Sequence, residues 1–579
     1  MSISPGARGA RILLALATLL GCSPAPGSGP YSVLLLTLDT TRADALSCYG
    51  RYAGVTPHLD RLAAESVLYE SAHTVAPLTL PAHASILTGL YPVRHGVRLN
   101  GVWALPTAAE SVAETARAAG VQTAACIASL ALDAAFGLDQ GFEVYSAPAP
   151  VATPQTSEYP ERPANEMIDA ALDWLRGRDR ERRFFLWVHL FDPHWPPTDP
   201  VPLSLPIPPR PREYLGEVAR MDREIGRLLD ALAAEDLLAT TFVAVVGDHG
   251  EGLEEHGEPT HAMYCYEGTL RVPLLLRYPD GYRAGERSAE NASVVDVQPT
   301  LLAAMGFTPG TGVDGVSLFR QTVPAERGVY FESYVGYLSY GWSQTAGWLD
   351  ARGKYVHSSA PEFFDLAADP AEAHDLAGAD PARLAAYRAA IAAVAARPAL
   401  AAAAAGADLA GAIQKLGYGA LGRADAAPPH PLADSGRPSP ASRLEEFRRQ
   451  SHAGALLNLG RFAEANEILG PIVRGNPDNV TALQEYTSGL LSAQRFAEAV
   501  PLLERLVRER PLQVISQRNL GYALRMVGRA DEAVAALWRA VELDPKNEAY
   551  FAELRWMLRD RPSAVQEYAA RRQALLAGR

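Results

Sequence analysis

Three stretches of this chain carry side chains that could do chemistry together. Val33-Leu-Leu-Leu-Thr-Leu-Asp39 is an apolar run that ends in a carboxylate. Thr241-Phe-Val-Ala-Val-Val-Gly247 has the same character and ends in Asp248-His249-Gly250-Glu251. Between them, Pro77-Leu-Thr-Leu-Pro-Ala-His-Ala-Ser-Ile-Leu-Thr-Gly89 reads as a turn feeding a helix, and it offers the hydroxyl of Thr79. An alcohol is a weak nucleophile at neutral pH and needs a base or a cation to activate it. A divalent metal held by Asp39, Asp248 and His249 would lower the hydroxyl pKa and neutralise charge on phosphoryl or sulfuryl oxygens. Mixed oxygen and nitrogen ligation favours Zn or Mn, with Ca, whose shell is all oxygen, as the third option. Thr79 near a helix N-terminus also lets backbone N–H groups meet an anion. The set predicts hydrolysis of a small anionic ester.

Such residues need a frame. A continuous apolar run suits a strand buried on both faces, and open α/β sheets build their sites at strand carboxyl ends. Strands are expected at Val33–Leu38, Phe184–Leu190, Thr241–Val246 and Val272–Tyr278. Helices are expected at Thr56–Leu68, Ala108–Ala119, Ala164–Leu175 and Arg212–Leu232. This alternation predicts an α/β domain over 31–387, a mostly parallel sheet covered by helices on both faces. Asp44 and Asp60 read as helix caps. His194 and His261 are polar residues in loops. His256 reads equally as a site or a surface residue. His83, His95 and His189 take no role, although His83 is the one of the three expected to face the pocket.

The chain is too long for one core. Its net charge of −13 offers no phosphate-tracking basic stripe and argues against nucleic acid. Arg8 and Arg11 precede the short apolar run Ile12–Leu20, which is a signal segment rather than a membrane span. The end of that run, Leu19-Leu20-Gly21-Cys22, resembles a bacterial lipobox. The resemblance implies removal of 1–21, a lipid on Cys22, a flexible tether over 22–30, and a membrane-anchored protein of the cell envelope. Cys48, Cys126 and Cys265 read as core residues rather than a disulfide framework.

Residues 388–442 read as an Ala-rich helix and a Pro-rich linker. Beyond it, Gly460-Arg-Phe-Ala-Glu-Ala465, Gln494-Arg-Phe-Ala-Glu-Ala499 and Gly528-Arg-Ala-Asp-Glu-Ala533 recur, each followed by a proline (Pro477, Pro511, Pro545) at a period of 34 residues. That period resembles tetratricopeptide repeats and implies an all-α domain over 443–579 that takes a protein partner. The repeats are expected to pack on the Ala-rich helix. Their deletion from Ser442 onward is expected to leave turnover of small substrates intact.

Residues 31–376 resemble the sulfatase family of the alkaline phosphatase superfamily. The resemblance rests on Leu38-Asp-Thr-Thr-Arg-Ala-Asp44, Pro81-Ala-His-Ala-Ser-Ile-Leu-Thr-Gly-Leu-Tyr-Pro92, Arg94-His-Gly96, Phe191-Asp-Pro-His194, Gly247-Asp-His-Gly-Glu251, Leu270-Arg-Val-Pro-Leu274 and the tail Phe363-Phe-Asp-Leu366. It implies a metal at Asp39, Asp248 and His249 and substrate contacts from His194. His261, near a sulfate-binding lysine of sulfatases, is implied either as a substrate contact or as a ligand to a second zinc. Sulfatases carry a cysteine or serine, matured to formylglycine, two residues before a proline and four before an arginine. Here those places hold Thr79, Pro81 and His83, and Thr40 stands where a second aspartate is usual. The departures resemble the threonine-using relatives: nucleotide pyrophosphatases, phosphonate hydrolases and phospho-group transferases of the envelope. A transferase on the same site, or an anion-binding scaffold without catalysis, are the competing readings.

Overall fold

The computed structural model describes residues 30–148, 161–404 and 428–577 apart from 325, 512 and 546. The signal segment, Cys22, the tether up to residue 29 and residues 405–427 therefore lie outside the described residues.

The frame is an eight-stranded sheet of β1 (Ser32–Leu38), β2 (Ser66–His73), β4 (Gln122–Cys126), β5 (Val144–Ser146), β6 (Phe184–Leu190), β7 (Thr241–Gly247), β8 (Leu274–Arg277) and β9 (Arg287–Ser293). The strands lie in the order β5-β4-β6-β1-β7-β8-β2-β9. A two-residue ladder pairs β3 (Trp103–Ala104) with β14 (Ala403–Ala404). All pairings in the large sheet are parallel except those of β8, which runs antiparallel to β7 and β2. The apolar runs become the centre of the sheet. Val33 and Leu35 of β1 enter one core, while Leu34, Leu36 and Leu38 enter the other. With a side-chain period of two, a strand that feeds two cores must be apolar throughout. A second, antiparallel sheet joins β10 (Val329–Ser333), β11 (Thr345–Asp350), β12 (Gly353–His357) and β13 (Glu362–Phe364).

Some expected elements moved. The helical period at Thr56–Leu68 covers only helix Pro57–Ala64, and the chain then enters β2. The apolar residues Val67, Leu68 and Tyr69 suit both periods, and pairing with β8 and β9 decides for strand. Helix Pro381–Ala395 crosses the boundary expected at 387/388. Asp380 caps it, and Tyr387, Ile391 and Val394 are its buried residues. It packs on the second sheet, where Tyr387 Oη donates to Asp350 at 2.7 Å. The described part of the Pro-rich linker does not hang free. Tyr334 Oη donates to the Pro429 carbonyl, and the Gln344 amide donates to the carbonyls of Pro431 and Ala433.

From Leu444 to Ala577 the described chain is all helix: Leu444–Asn458, Phe462–Gly475, Val480–Ser492, Phe496–Glu509, Val514–Met526, Ala530–Leu543, Glu548–Met557 and Pro562–Ala577. The recurring motif has one local geometry. Arg461, Arg495 and Arg529 each fork onto a glutamate three residues on, Glu464, Glu498 and Glu532. The residue before each arginine turns left-handed: Gly460 at φ +73°, Gln494 at +59° and Gly528 at +86°. Only glycine enters that region without a Cβ penalty. Gln494→Gly should therefore stabilise the helical region by about 0.5–1 kcal/mol. A higher midpoint in chemical denaturation of the full chain checks it, and a lower one contradicts the backbone argument.

Candidate active site

The parallel register of β1 and β7 sets Leu38 opposite Gly247. The next residues, Asp39 and Asp248, thus leave two neighbouring strands side by side at their carboxyl ends, both fully buried. Asp39 N donates to the Leu190 carbonyl at 2.9 Å, and Asp248 N donates to that of Leu38 at 3.3 Å. Thr40 then turns left-handed at φ +48°, an uncommon conformation for a non-glycine residue. Two bonds hold that turn: Thr40 N donates to Asp248 Oδ1 at 3.2 Å, and Tyr214 Oη donates to the Thr40 carbonyl at 2.9 Å. Asp44 does not cap a helix as expected. It pairs with the buried Arg42, which also reaches Glu255 and so ties the 39–44 turn to the loop after β7.

Thr79 opens helix Thr79–Thr88, every residue of which is buried. Pro81 sits in the first turn, where a missing N–H costs nothing. Gly89, at φ +68°, closes the helix with its N–H on the Ser85 carbonyl. The Thr79 hydroxyl lies 3.3 Å from His249 Nε2. The other nitrogen of that ring, Nδ1, donates to the Gly250 carbonyl at 2.9 Å, so Nε2 carries the lone pair. The same lone pair faces Asp248 Oδ2 at 3.5 Å and Asp39 Oδ1 at 3.9 Å.

Asp39 Oδ1 and Asp248 Oδ2 are buried and accept no hydrogen bond. Burial pushes the Asp39 carboxyl up to about 7, and burial followed by the Asp39 charge pushes Asp248 well above its ordinary range. Burial holds His249 well below the usual imidazole value. Two orphaned oxygens beside a neutral imidazole, with one ligand atom from each residue within 4.8 Å of the others, fit a divalent cation. The donors match the hard oxygen and imidazole set expected from the sequence.

Around this set stand the other imidazoles. His261 packs 4.5 Å from the His249 ring and 5.3 Å from that of His194, which stacks on Phe191 at 4.3 Å. The structure therefore gathers all six predicted site residues in one cluster. It adds two that carried no sequence role. His189 takes a proton on Nε2, donated to Asp39 Oδ2 at 3.1 Å, because its Nδ1 accepts from Ala128 N at 3.3 Å. His83 donates from Nδ1 to the Thr79 carbonyl at 2.8 Å, and Nδ1 lies 3.5 Å from Asp248 Oδ2. Burial pushes both imidazoles down to about 3 and keeps them neutral. Asn100 also reaches the helix start, accepting from Leu80 N at 2.9 Å. His83 is one helical turn from Thr79 and so was legible from the i, i+4 spacing. His189 sits one residue before a strand end, and only the pairing of β6 with β1 reveals its target. His256 stacks on Tyr266 at 3.9 Å instead, and His95 bonds Ser85 at 3.0 Å behind the helix.

Residues 32–307 match the family model described as Sulfatase. The chain is 26% identical over 435 residues to the N-acetylgalactosamine-6-sulfatase of Homo sapiens, covering 61% of this chain and 82% of that protein. It is 25% identical over 443 residues to an arylsulfatase of Clostridium perfringens, covering 60% of this chain and 90% of that one. Two solved structures share the fold. One, the phosphonate monoester hydrolase of Agrobacterium radiobacter, aligns at a TM-score of 0.51 and 21% identity over 63% of this chain and 95% of its own. The other, solved with its substrate D-glucosamine-2-N,6-O-disulfate, aligns at 0.53 and 21% over 61% and 94%. Residues 32–307 thus carry a sulfatase-type domain, and the activity class is that of a sulfatase-like hydrolase acting on ester bonds.

Proposed function

We propose that the protein hydrolyses a small anionic sulfate or phosphate-type ester through Thr79 as an unmodified nucleophile, in a metal-dependent site. The observation that carries this reading is the Thr79 hydroxyl at 3.3 Å from His249 Nε2, beside the two unpartnered carboxylate oxygens. Asp39, Asp248 and His249 would hold the cation. When bound, it supplies charge neutralisation and a lowered hydroxyl pKa.

The protein's own groups do the rest. Thr79 Oγ1 gives up its proton to water and bonds to sulfur or phosphorus as the bond to the ester oxygen breaks, and that oxygen takes a proton from water. A second water then cleaves the Thr79 adduct, returning one proton to Thr79 Oγ1 and releasing the anion. His189 fixes the Asp39 carboxylate through Oδ2 and leaves Oδ1 for the cation. His83 pins the Thr79 backbone and with it the direction of the hydroxyl. His194 and His261 offer ring N–H donors to the anion's free oxygens. Burial lowers His194 well below the ordinary value, which keeps it neutral at physiological pH. The test is a parallel assay of the purified chain on aryl sulfate, phosphomonoester, phosphodiester and phosphonate monoester panels, before and after chelation. Turnover of none of them would overturn the reading.

The helix pairs of 443–579 are read as tetratricopeptide repeats that take a protein segment, supported by the 34-residue period and the shared Arg–Glu fork. The mature protein is read as a lipoprotein of the cell envelope, supported by Leu19-Leu20-Gly21-Cys22. Two acyl signals give stable anchoring without a spanning helix. Cys22→Ala should move the protein from the detergent phase to the aqueous phase after export. Equal partitioning of parent and variant would show that Cys22 is no anchor.

A further inference from the structure

The loop that carries His261 follows a costly path. Leu253, Glu254, His256 and Ala262 hold φ of +49°, +70°, +50° and +91°. There a Cβ crowds its own backbone, and such residues persist only where the surroundings over-determine them. Bonds within the loop fix its shape. Glu254 N donates to the Glu258 carbonyl at 2.9 Å, and Glu258 Oε1 accepts from Met263 N at 2.8 Å and Tyr264 N at 3.2 Å. They do not by themselves fix where the loop stands relative to β7.

The outer side of the loop leans on the C-terminal helical region. Tyr264 Oη donates to the Pro440 carbonyl at 3.3 Å, and its ring meets Phe447 edge-on at 6.0 Å. Gly257, at φ +79°, comes so near helix Leu444–Asn458 that a Cβ there would stand 2.5 Å from Leu444 Cδ1. The buried Phe447 also packs on Tyr340 at 5.8 Å. The carbonyls of Leu338, Ser339 and Tyr340 accept from Arg510, Thr481 and Asn476 of later helices. The helical region thus grips the catalytic body on both sides of one contact, and that contact is the back of the His261 loop.

We propose that helix Leu444–Asn458 is a positioning element of the active site: Phe447 and Leu444 clamp the strained 253–264 loop and thereby hold His261 against His249. This rests on the placing of His261 on the substrate side. It reverses the expectation that the C-terminal region is dispensable for small substrates. Phe447 and Leu444 touch neither substrate nor metal ligand, and they act through the loop. Loosening the clamp should weaken substrate binding more than the chemical step, because Thr79, Asp39 and Asp248 sit on other elements.

The test uses the full chain with amide hydrogen exchange and steady-state kinetics on an aryl sulfate and an aryl phosphonate monoester. In Phe447→Ala, amides of 253–264 should exchange at least about tenfold faster while those of β1 and β7 stay as in the parent. KM should rise several-fold with kcat within about twofold, and Phe447→Leu should restore both. Leu537→Ala, which opens a cavity in the far helices, should move neither reading. Parental protection of 253–264 and a parental KM in Phe447→Ala would overturn the proposal. Should that variant fail to fold, Leu444→Ala takes its place, since it removes the side chain against which Gly257 rests, and parental exchange and KM there would overturn it equally. The exchange arm decides this question even if neither ester is turned over.

Discussion

Asp248→Ala should leave a protein that binds no divalent metal at the site and turns esters over at least about 10³-fold more slowly, a barrier increase of about 4 kcal/mol. Asp248 does two jobs. Its Oδ1 accepts from Thr40 N and His249 N, which shapes the turn, while its Oδ2 faces the His249 lone pair without a hydrogen bond. Alanine removes both, so its loss of turnover would mix misplacement with metal loss. Asp248→Asn separates them, since one amide oxygen keeps the two backbone bonds and the negative charge is gone. Both variants should lose metal by elemental analysis of the purified chain, and Asp248→Asn should keep the parental unfolding midpoint more nearly. Full turnover in a metal-free sample of the parent would refute metal dependence outright.

Thr79→Ala should lower turnover by about 10⁴-fold or more while the metal content stays at the parental level. The hydroxyl is the only Thr79 atom the reaction uses, and the carbonyl that His83 pins is unchanged by the substitution. Thr79→Ser keeps the oxygen and loses a methyl group packed in a fully buried helix, so it should retain activity within about tenfold. Mass spectrometry of the peptide spanning Thr79 should show ordinary threonine, with a sulfuryl or phosphoryl adduct trapped by acid quenching. Parental turnover in Thr79→Ala would mean another nucleophile.

These expectations draw on different levels of the molecule. The sequence by itself determined the central strands, because β1 and β7 lie in the middle of the sheet and an all-apolar run has no other stable place in a soluble fold. It determined that Asp39, Asp248, His249 and Thr79 would meet, because two such strands end in carboxylates and the hydroxyl opens a helix. It also determined the helical character of the C-terminal region, through its 34-residue period. Only the tertiary structure decided the rest. Whether Ser66–His73 is helix or strand depended on pairing partners far along the chain, since short apolar runs fit both periods. The part of His189 depended on β6 lying beside β1, which brings a residue 150 positions away onto Asp39 Oδ2. The proposed link between the His261 loop and Phe447 left no mark in local sequence, because a positive φ at Leu253 or Ala262 contradicts local preference. Local preference is a property of a few neighbouring residues and can be read in order along the chain. The position of a loop against a helix that begins almost two hundred residues later is a property of the packed whole.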